Sequence, residues 1–294
     1  MTQFFLGVDA GGSTSRCRLV DGTGRVLAGA QAGPANAGLG LDALHATLRQ
    51  LTEDTVHAAG LDAAQLASVR AAMGIAGISR PGVRAALEGF AFPFASTLFD
   101  TDAVIANLGA HGGGDGAVLI IGTGSIAQVR VGGQSFRIGG YGFPISDEGS
   151  GAALGLSAMR HALRALDGRT RATPLSTAVT ERFDHDTARA IAWMDQATPR
   201  DYGSFAPLVM DYAEADDTIA RSIVEDAAGH IERFIETIYE RGAPRCALLG
   251  GLSAKMRPWL RARTVARLSE PLGDALDGAL YLAGLPARTA ETLP

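Results

Sequence analysis

The stretch Phe4-Phe5-Leu6-Gly7-Val8-Asp9-Ala10-Gly11-Gly12-Ser13-Thr14-Ser15-Arg16-Cys17-Arg18-Leu19-Val20 decides how the rest of the chain is read. An apolar run, a turn of glycines and hydroxyls, and an alternating run predict two strands joined by a tight hairpin. The turn Asp21-Gly22-Thr23-Gly24 and the run Arg25-Val26-Leu27-Ala28 add a third strand. The same pattern returns at Val118-Leu119-Ile120-Ile121, Gly122-Thr123-Gly124-Ser125, Ile126 to Val131, a Gly132-Gly133 turn and Ser135-Phe136-Arg137-Ile138. Two such meanders predict two similar α/β domains.

Each hairpin alone is an ordinary turn. Glycines at Gly11, Gly12, Gly122 and Gly124 let the backbone turn sharply and aim N–H groups at an anion, and Ser13, Thr14, Thr123 and Ser125 add hydroxyl donors. Two such loops, each directly after an apolar strand, predict a grip on one polyphosphate.

Composition narrows the partners. With 294 residues and 47% hydrophobic side chains the chain can bury the cores of about two domains. Its 38 glycines exceed the usual share of about 7%, and many stand where predicted strands end. A net charge of -5 and a pI near 5.7 argue against nucleic acid and anionic membranes. Lys255 is the only lysine and no GxxxxGK[ST] occurs, which excludes a P-loop NTPase. Gly149, Gly151 and Gly155 lack the strand and spacing of a dinucleotide fingerprint. The 6 histidines form no ligand cluster, and Cys17 and Cys246 read as separate buried thiols. No Lys or Arg precedes Arg16 and no apolar run reaches transmembrane length, so a cytoplasmic protein is expected.

The loop Gly33-Pro34-Ala35-Asn36-Ala37-Gly38 is followed by Leu41, Leu44, Leu48, Leu51 and Thr55 at helical spacing. Ser68 to Ile75 reads as a buried strand, Pro81 to Phe90 as a short helix, Thr97-Leu98-Phe99 as a strand running into a helix through Leu108. The cluster Gly112 to Gly116 separates the halves, giving domains 1–110 and 111–273, with a last helix in 274–294 packing back on the first. In the second half a helix opens at Gly149-Ser150-Gly151, and Ile219, Ile223, Ala227, Ile231, Phe234 and Ile238 form one stripe. Cys246 to Leu249 is a strand ending at Gly250-Gly251, whereas 167–215 gives no clear pattern.

Four carboxylates are the candidates for the chemistry. Asp9 ends a buried strand, where a charge is costly without donors or a metal; it either stabilises the turn or positions Mg²⁺ through water. Asp102 stands at a strand-to-helix corner, as an N-cap or as a base for a hydroxyl attacking a phosphate. Asp147 and Glu148 precede a helix start, as caps or as ligands of substrate hydroxyls.

Asp9-Ala10-Gly11-Gly12-Ser13-Thr14, Thr101-Asp102-Ala103, Ile121-Gly122-Thr123-Gly124-Ser125, Gly140-Tyr141-Gly142-Phe143-Pro144-Ile145-Ser146-Asp147-Glu148-Gly149-Ser150-Gly151 and Leu249-Gly250-Gly251 together resemble the actin-like ATPase superfamily. Within it, the chain is similar to the glucosamine kinase and N-acetylglucosamine kinase branch, of the BadF/BadG/BcrA/BcrD ATPase type. The resemblance spans nearly the whole chain and implies two similar ribonuclease H-like domains with a cleft between them. It implies MgATP as cofactor and an amino sugar as small-molecule partner, with glucosamine preferred over N-acetylglucosamine, and it leaves the oligomeric state open, a homodimer included. On this chain it places ATP at Asp9, Gly11, Gly12, Ser13, Thr14, Gly122, Thr123, Gly124, Gly250 and Gly251. The sugar falls at Asn36, Gly140, Tyr141, Gly142 and Asp147, and the general base at Asp102. Ala10 stands where the family often has a third glycine. Two other classes share the scaffold: activators of hydroxyacyl-CoA dehydratases, which need clustered cysteines absent here, and ATPase switches or regulators.

Overall fold

The computed structural model describes residues 3–287. The chain divides into one unit of Met1–Gly116, Arg130–Ser135 and Glu270–Pro294, and a second of Ala117–Val129 and Phe136–Ser269. The first unit thus runs past residue 110 and takes in the tip of the second meander.

In the first unit, β1 (Phe4–Ala10), β2 (Ser15–Asp21) and β3 (Val26–Ala32) form the expected antiparallel meander. Then follow α1 (Leu41–Ala59), α2 (Ala63–Leu66), β4 (Val69–Ile75), α3 (Val83–Glu88), β5 (Ser96–Asp100) and α4 (Asp102–Ala110). β4 lies parallel to β1 and β5 parallel to β4, so the sheet reads β3-β2-β1-β4-β5. β1 is central and apolar almost throughout because both faces are covered. Leu6 and Val8 join Leu44, Leu48 and Leu51 of α1 in the main core.

The second unit repeats the meander with β6 (Gly116–Ile121), β7 (Ser125–Val131) and β8 (Gln134–Gly139). It continues with α5 (Gly151–Leu166), α6 (Pro174–Glu181), α7 (Thr187–Met194), α8 (Pro199–Gly203), α9 (Ala206–Glu214) and α10 (Thr218–Glu240). β9 (Cys246–Leu249), α11 (Ser253–Met256) and α12 (Ala262–Val265) complete it. The sheet reads β8-β7-β6-β9, with β9 parallel to β6. α10 buries Ile223, Ala227, Ile231 and Ile238 as the stripe requires, leaving Ile219 and Phe234 half-buried at its margin. The patternless region 167–215 holds four short helices, three of them with a proline in the first turn.

α13 (Ala275–Ala283) belongs to the first unit and covers the other face of its sheet, where Phe5, Val20 and Ala72 meet Leu280 and Ala283. Gly7 makes this approach feasible, since a Cβ there would stand 2.9 Å from the Leu276 carbonyl oxygen. Cys17 and Cys246 are buried and unpaired, one in each unit.

Candidate functional site

In a sheet of parallel strands, ligands bind beyond the carboxyl ends, where loops diverge. The first unit collects its candidate residues there. Register places Asp9 beside Gly74 and Gly74 beside Asp100, one row across β1, β4 and β5. The loop after β1 is closed by the Gly11 N–H donating to the Thr14 carbonyl at 3.1 Å, and the Ala35 N–H donates to the Gly11 carbonyl at 3.0 Å. Asn36 bridges to Ala76 just past β4, and its Oδ1 accepts from the Gly38 N–H at 2.8 Å.

The glycines of both hairpins adopt negative φ. No left-handed backbone is needed at these positions; what they require is space. A Cβ on Gly11 would stand 3.0 Å from the Thr14 carbonyl oxygen, while a Cβ on Gly12, Gly122 or Gly251 would meet nothing within 4 Å. Backbone bare on its outer side is what an incoming phosphate needs.

Asp102 is not the N-cap. Thr101 fills that position, its Oγ1 accepting from the Val104 N–H at 3.1 Å, and Asp102 is the first helical residue. Asp100 accepts from the Thr101 N–H at 2.8 Å and pairs with Arg84 at 3.4 Å, locking the strand end. Burial pushes the Asp102 carboxyl above its usual value; the Ala103 N–H opposes the rise and the charge of Asp9 adds to it. A carboxylate so placed is a stronger base than a solvated one. Gly74 lets Ile105 of α4 lie against the sheet, since a Cβ on Gly74 would overlap the Ile105 side chain.

Asp9 meets a donor within its own hairpin: Arg16, directly opposite on β2, donates from Nη2 to Asp9 Oδ2 at 2.8 Å. That offsets the burial of the carboxylate and leaves Oδ1 for another partner. Arg16 escaped the sequence reading, although counting outward from the hairpin pairs 9 with 16.

The second unit interlocks two loops at the end of β6. The Gly122 N–H donates to the Gly124 carbonyl at 2.9 Å, and the first N–H groups of α5, on Gly151 and Ala152, donate to the carbonyls of Gly122 and Thr123 at 2.7 and 3.1 Å. Ser150 caps α5, accepting from the Ala153 N–H at 3.2 Å, so neither Asp147 nor Glu148 is the cap. Asp147 has a φ of 69°, and a Cβ on Gly124 would stand 2.8 Å from its Oδ2. Burial raises the Asp147 carboxyl, against the N–H groups of Gly142, Ser125 and Phe143 that face it. Asp147 thus ties the 140–148 loop to the hairpin. Tyr141 is exposed between Gly140 and Gly142, its ring beneath Arg137 at 5.1 Å.

Gly250, with a φ of 97°, packs its backbone against Ile121 so closely that no side chain fits, and the Leu252 N–H donates to the Ile121 carbonyl at 3.1 Å. Gly122, Thr123 and Gly251 line one open cavity of about 270 Å³ together with Gly203, Pro207 and Lys255. Lys255 pairs with Asp211 at 3.2 Å. The structure gathers every predicted residue of each unit at one end of its sheet, and adds Arg16, Gly151 and Lys255.

Residues 6–265 match the BadF/BadG/BcrA/BcrD ATPase family. The chain is 36% identical to glucosamine kinase GspK of Vibrio cholerae over 284 residues, 96% of each protein. It is 24% identical over 246 residues to the N-acetylmuramic acid/N-acetylglucosamine kinase of Clostridium acetobutylicum, covering 81% of this chain and 80% of that one. A candidate N-acetylglucosamine kinase of Chromobacterium violaceum superposes with a TM-score of 0.86 at 33% identity, over 96% of this chain and 99% of that one. The ROK hexokinase of Thermus thermophilus shares the fold, with a TM-score of 0.55 at 18% identity over 97% and 98% of the two chains. The architecture is that of the actin-like ATPase sugar kinases.

Proposed function

This chain belongs to the BadF/BadG/BcrA/BcrD ATPase family, and from that premise we propose that it is an ATP-dependent amino-sugar kinase. It transfers the γ-phosphoryl group of ATP to the 6-hydroxyl of D-glucosamine, giving glucosamine 6-phosphate. The observation that carries the reaction is Asp102, a half-buried carboxylate relieved of capping by Thr101. The choice of acceptor follows the near full-length similarity to the Vibrio glucosamine kinase.

Phosphoryl transfer demands positioning and charge neutralisation more than covalent help. In this reading Gly11, Gly12, Ser13 and Thr14 in one unit and Gly122, Thr123 and Gly124 in the other bind the phosphates. Gly250 and Gly251 hold the nucleoside. Asn36, Gly140, Tyr141, Gly142 and Asp147 bind the sugar, hydroxyls being matched by side chains that donate and accept. Asp102 orients the 6-hydroxyl and takes its proton as the bond to phosphorus forms.

Mg²⁺ neutralises phosphate charge when bound with the nucleotide. Asp9 fits it: its carboxylate stands near the carboxyl end of β1 beside the 11–14 loop, held by Arg16 through Oδ2 alone, and Mg²⁺ commonly keeps its waters and takes one carboxylate plus phosphates. No helix among the described residues is long and apolar enough to cross a membrane, and the reading puts the enzyme in the cytoplasm, where ATP is available.

N-acetylglucosamine is the second reading of the acceptor, supported by the Chromobacterium and Clostridium relatives. Its acetyl group needs a small apolar pocket near Asn36 and Gly77-Ile78-Ser79. A coupled ADP-release assay over hexoses and amino sugars tests both readings. Glucosamine is expected to stimulate most strongly; stimulation by N-acetylglucosamine alone overturns the acceptor, and stimulation by no sugar overturns the kinase.

A further inference from the structure

We propose that Asp274, at the start of α13, is a positioning residue that sets the Asp9 carboxylate through Arg16; the proposal rests on the reading of Asp9 as the carboxylate that faces Mg²⁺. Five charges alternate across one face of the first unit. Arg16 Nη2 donates to Asp9 Oδ2 at 2.8 Å, and its Nη1 lies 3.6 Å from Asp274 Oδ2. Arg18 grips both oxygens of Asp274, at 3.3 and 3.0 Å, and reaches Asp277 at 2.7 Å.

Asp274 is the rigid member. Its carboxylate accepts from the Asp277 N–H at 3.0 Å while Asp277 accepts from the Asp274 N–H at 3.0 Å, a reciprocal capping box. Its carbonyl oxygen rests on Gly109 of α4, where any Cβ would overlap it, so its backbone is fixed as well. A guanidinium paired with Asp9 alone competes with a divalent cation for that carboxylate. Shared with a capped and backbone-packed Asp274, the same guanidinium is held from two sides, its charge is divided, and it binds Asp9 through Oδ2 alone. This is the relation of an outer partner to a metal-facing group, reached through one intervening side chain.

The N-cap role and the positioning role part company in Asp274→Asn. Asn caps as well as Asp but carries no charge. The probe is Mn²⁺, titrated into protein saturated with a non-hydrolysable ATP analogue, with the free ion read by electron paramagnetic resonance. Asp274→Asn is expected to weaken Mn²⁺ binding about tenfold, the lower end of what losing an outer partner costs, with the helix still capped and only a small drop in melting temperature from the lost ion pair with Arg18. Asp274→Ser, a second neutral cap, guards against a folding defect peculiar to one variant. In an Arg16→Gln background the same change should have no further effect. Wild-type Mn²⁺ affinity in both Asp274 variants overturns the proposal, as does an equal loss in the Arg16→Gln background. Asp9→Asn separates the two levels. If it binds Mn²⁺ as the wild type does, the reading of Asp9 fails and takes this proposal with it; if it weakens binding while the Asp274 variants do not, the proposal alone fails.

Discussion

At the corner Asp100-Thr101-Asp102 three adjacent side chains divide three tasks: Asp100 closes the strand with Arg84, Thr101 caps the helix, and Asp102 is left with an oxygen to spare. Asp102→Asn should lower turnover on the order of 10²- to 10⁴-fold, the usual contribution of a general base. Stability should not fall with it. A carboxyl whose folded value is raised binds its proton more readily in the folded state, so the ionised residue costs stability at neutral pH and the cost fades as pH falls. The variant's melting temperature at pH 7 should therefore equal or exceed that of the wild type. Thr101→Ala should do the reverse, losing about 1 kcal/mol of stability with turnover largely kept. The acid limb of kcat/KM should lie above the ordinary carboxylate range, because burial and then Asp9 raise Asp102, and Asp9→Asn should move it toward lower pH. An acid limb that stays put removes Asp102 from the titration. Both carboxylates are legible in the sequence because each ends an apolar run. Which residue of the corner caps is not legible, since Thr and Asp both do so.

Strands and long helices announce themselves by period, and the two meanders, α1 and α10 fall where apolar spacing puts them. The helices of 167–215 do not, because none is longer than 9 residues and each buries too few residues for a stripe to emerge. Glycines are the least legible, for identical residues serve opposite ends. Gly278 lies so close to the Ile105 carbonyl of α4 that a Cβ has no room, whereas Gly12 faces open space. Gly278→Ala should cost about 1 to 3 kcal/mol of stability, as overpacking does, by forcing α13 away from α4. Gly12→Ala should leave the melting temperature alone and weaken ATP binding; calorimetry of both variants with and without nucleotide checks the contrast. Asp147 is a similar case. The sequence places it on the sugar side, but its carboxylate faces Ser125 and Gly142 together, so Asp147→Ala should loosen both loops and raise KM for ATP as well as for sugar. Losing one charged hydrogen bond costs on the order of 1.5 to 3 kcal/mol. A change in the sugar KM alone means the tie to the hairpin carries no energy.

Pairing, not chain order, makes the first unit whole. Its last segment, Glu270–Pro294, returns after the second unit is complete, and α13 supplies the wall that closes one face of the sheet. Sequence pattern shows that 274–285 can be helical and can return to the first domain; it does not reveal which residues receive the helix, because these are small residues scattered along the chain, Gly7 on β1 and Gly109 on α4. Those glycines leave a groove that only a close-packed helix fills. Ending the chain at residue 273 should therefore damage the first unit far more than loss of a surface helix would. Leu276 and Leu280 leave the core, each worth about 2 to 5 kcal/mol by the measure of large-to-small core substitutions, and Phe5, Val20 and Ala72 lose their cover. Asp9 and Asp102 sit on β1 and α4, the elements α13 holds, so activity should vanish together with the cooperative unfolding of this unit. The second unit keeps its own sheet and α10, and its secondary structure should persist. Circular dichroism melts and binding of a hydrophobic dye to the 1–273 chain decide the matter: a single transition at the wild-type temperature, with no dye bound, means α13 is a surface appendage and the first unit stands without it.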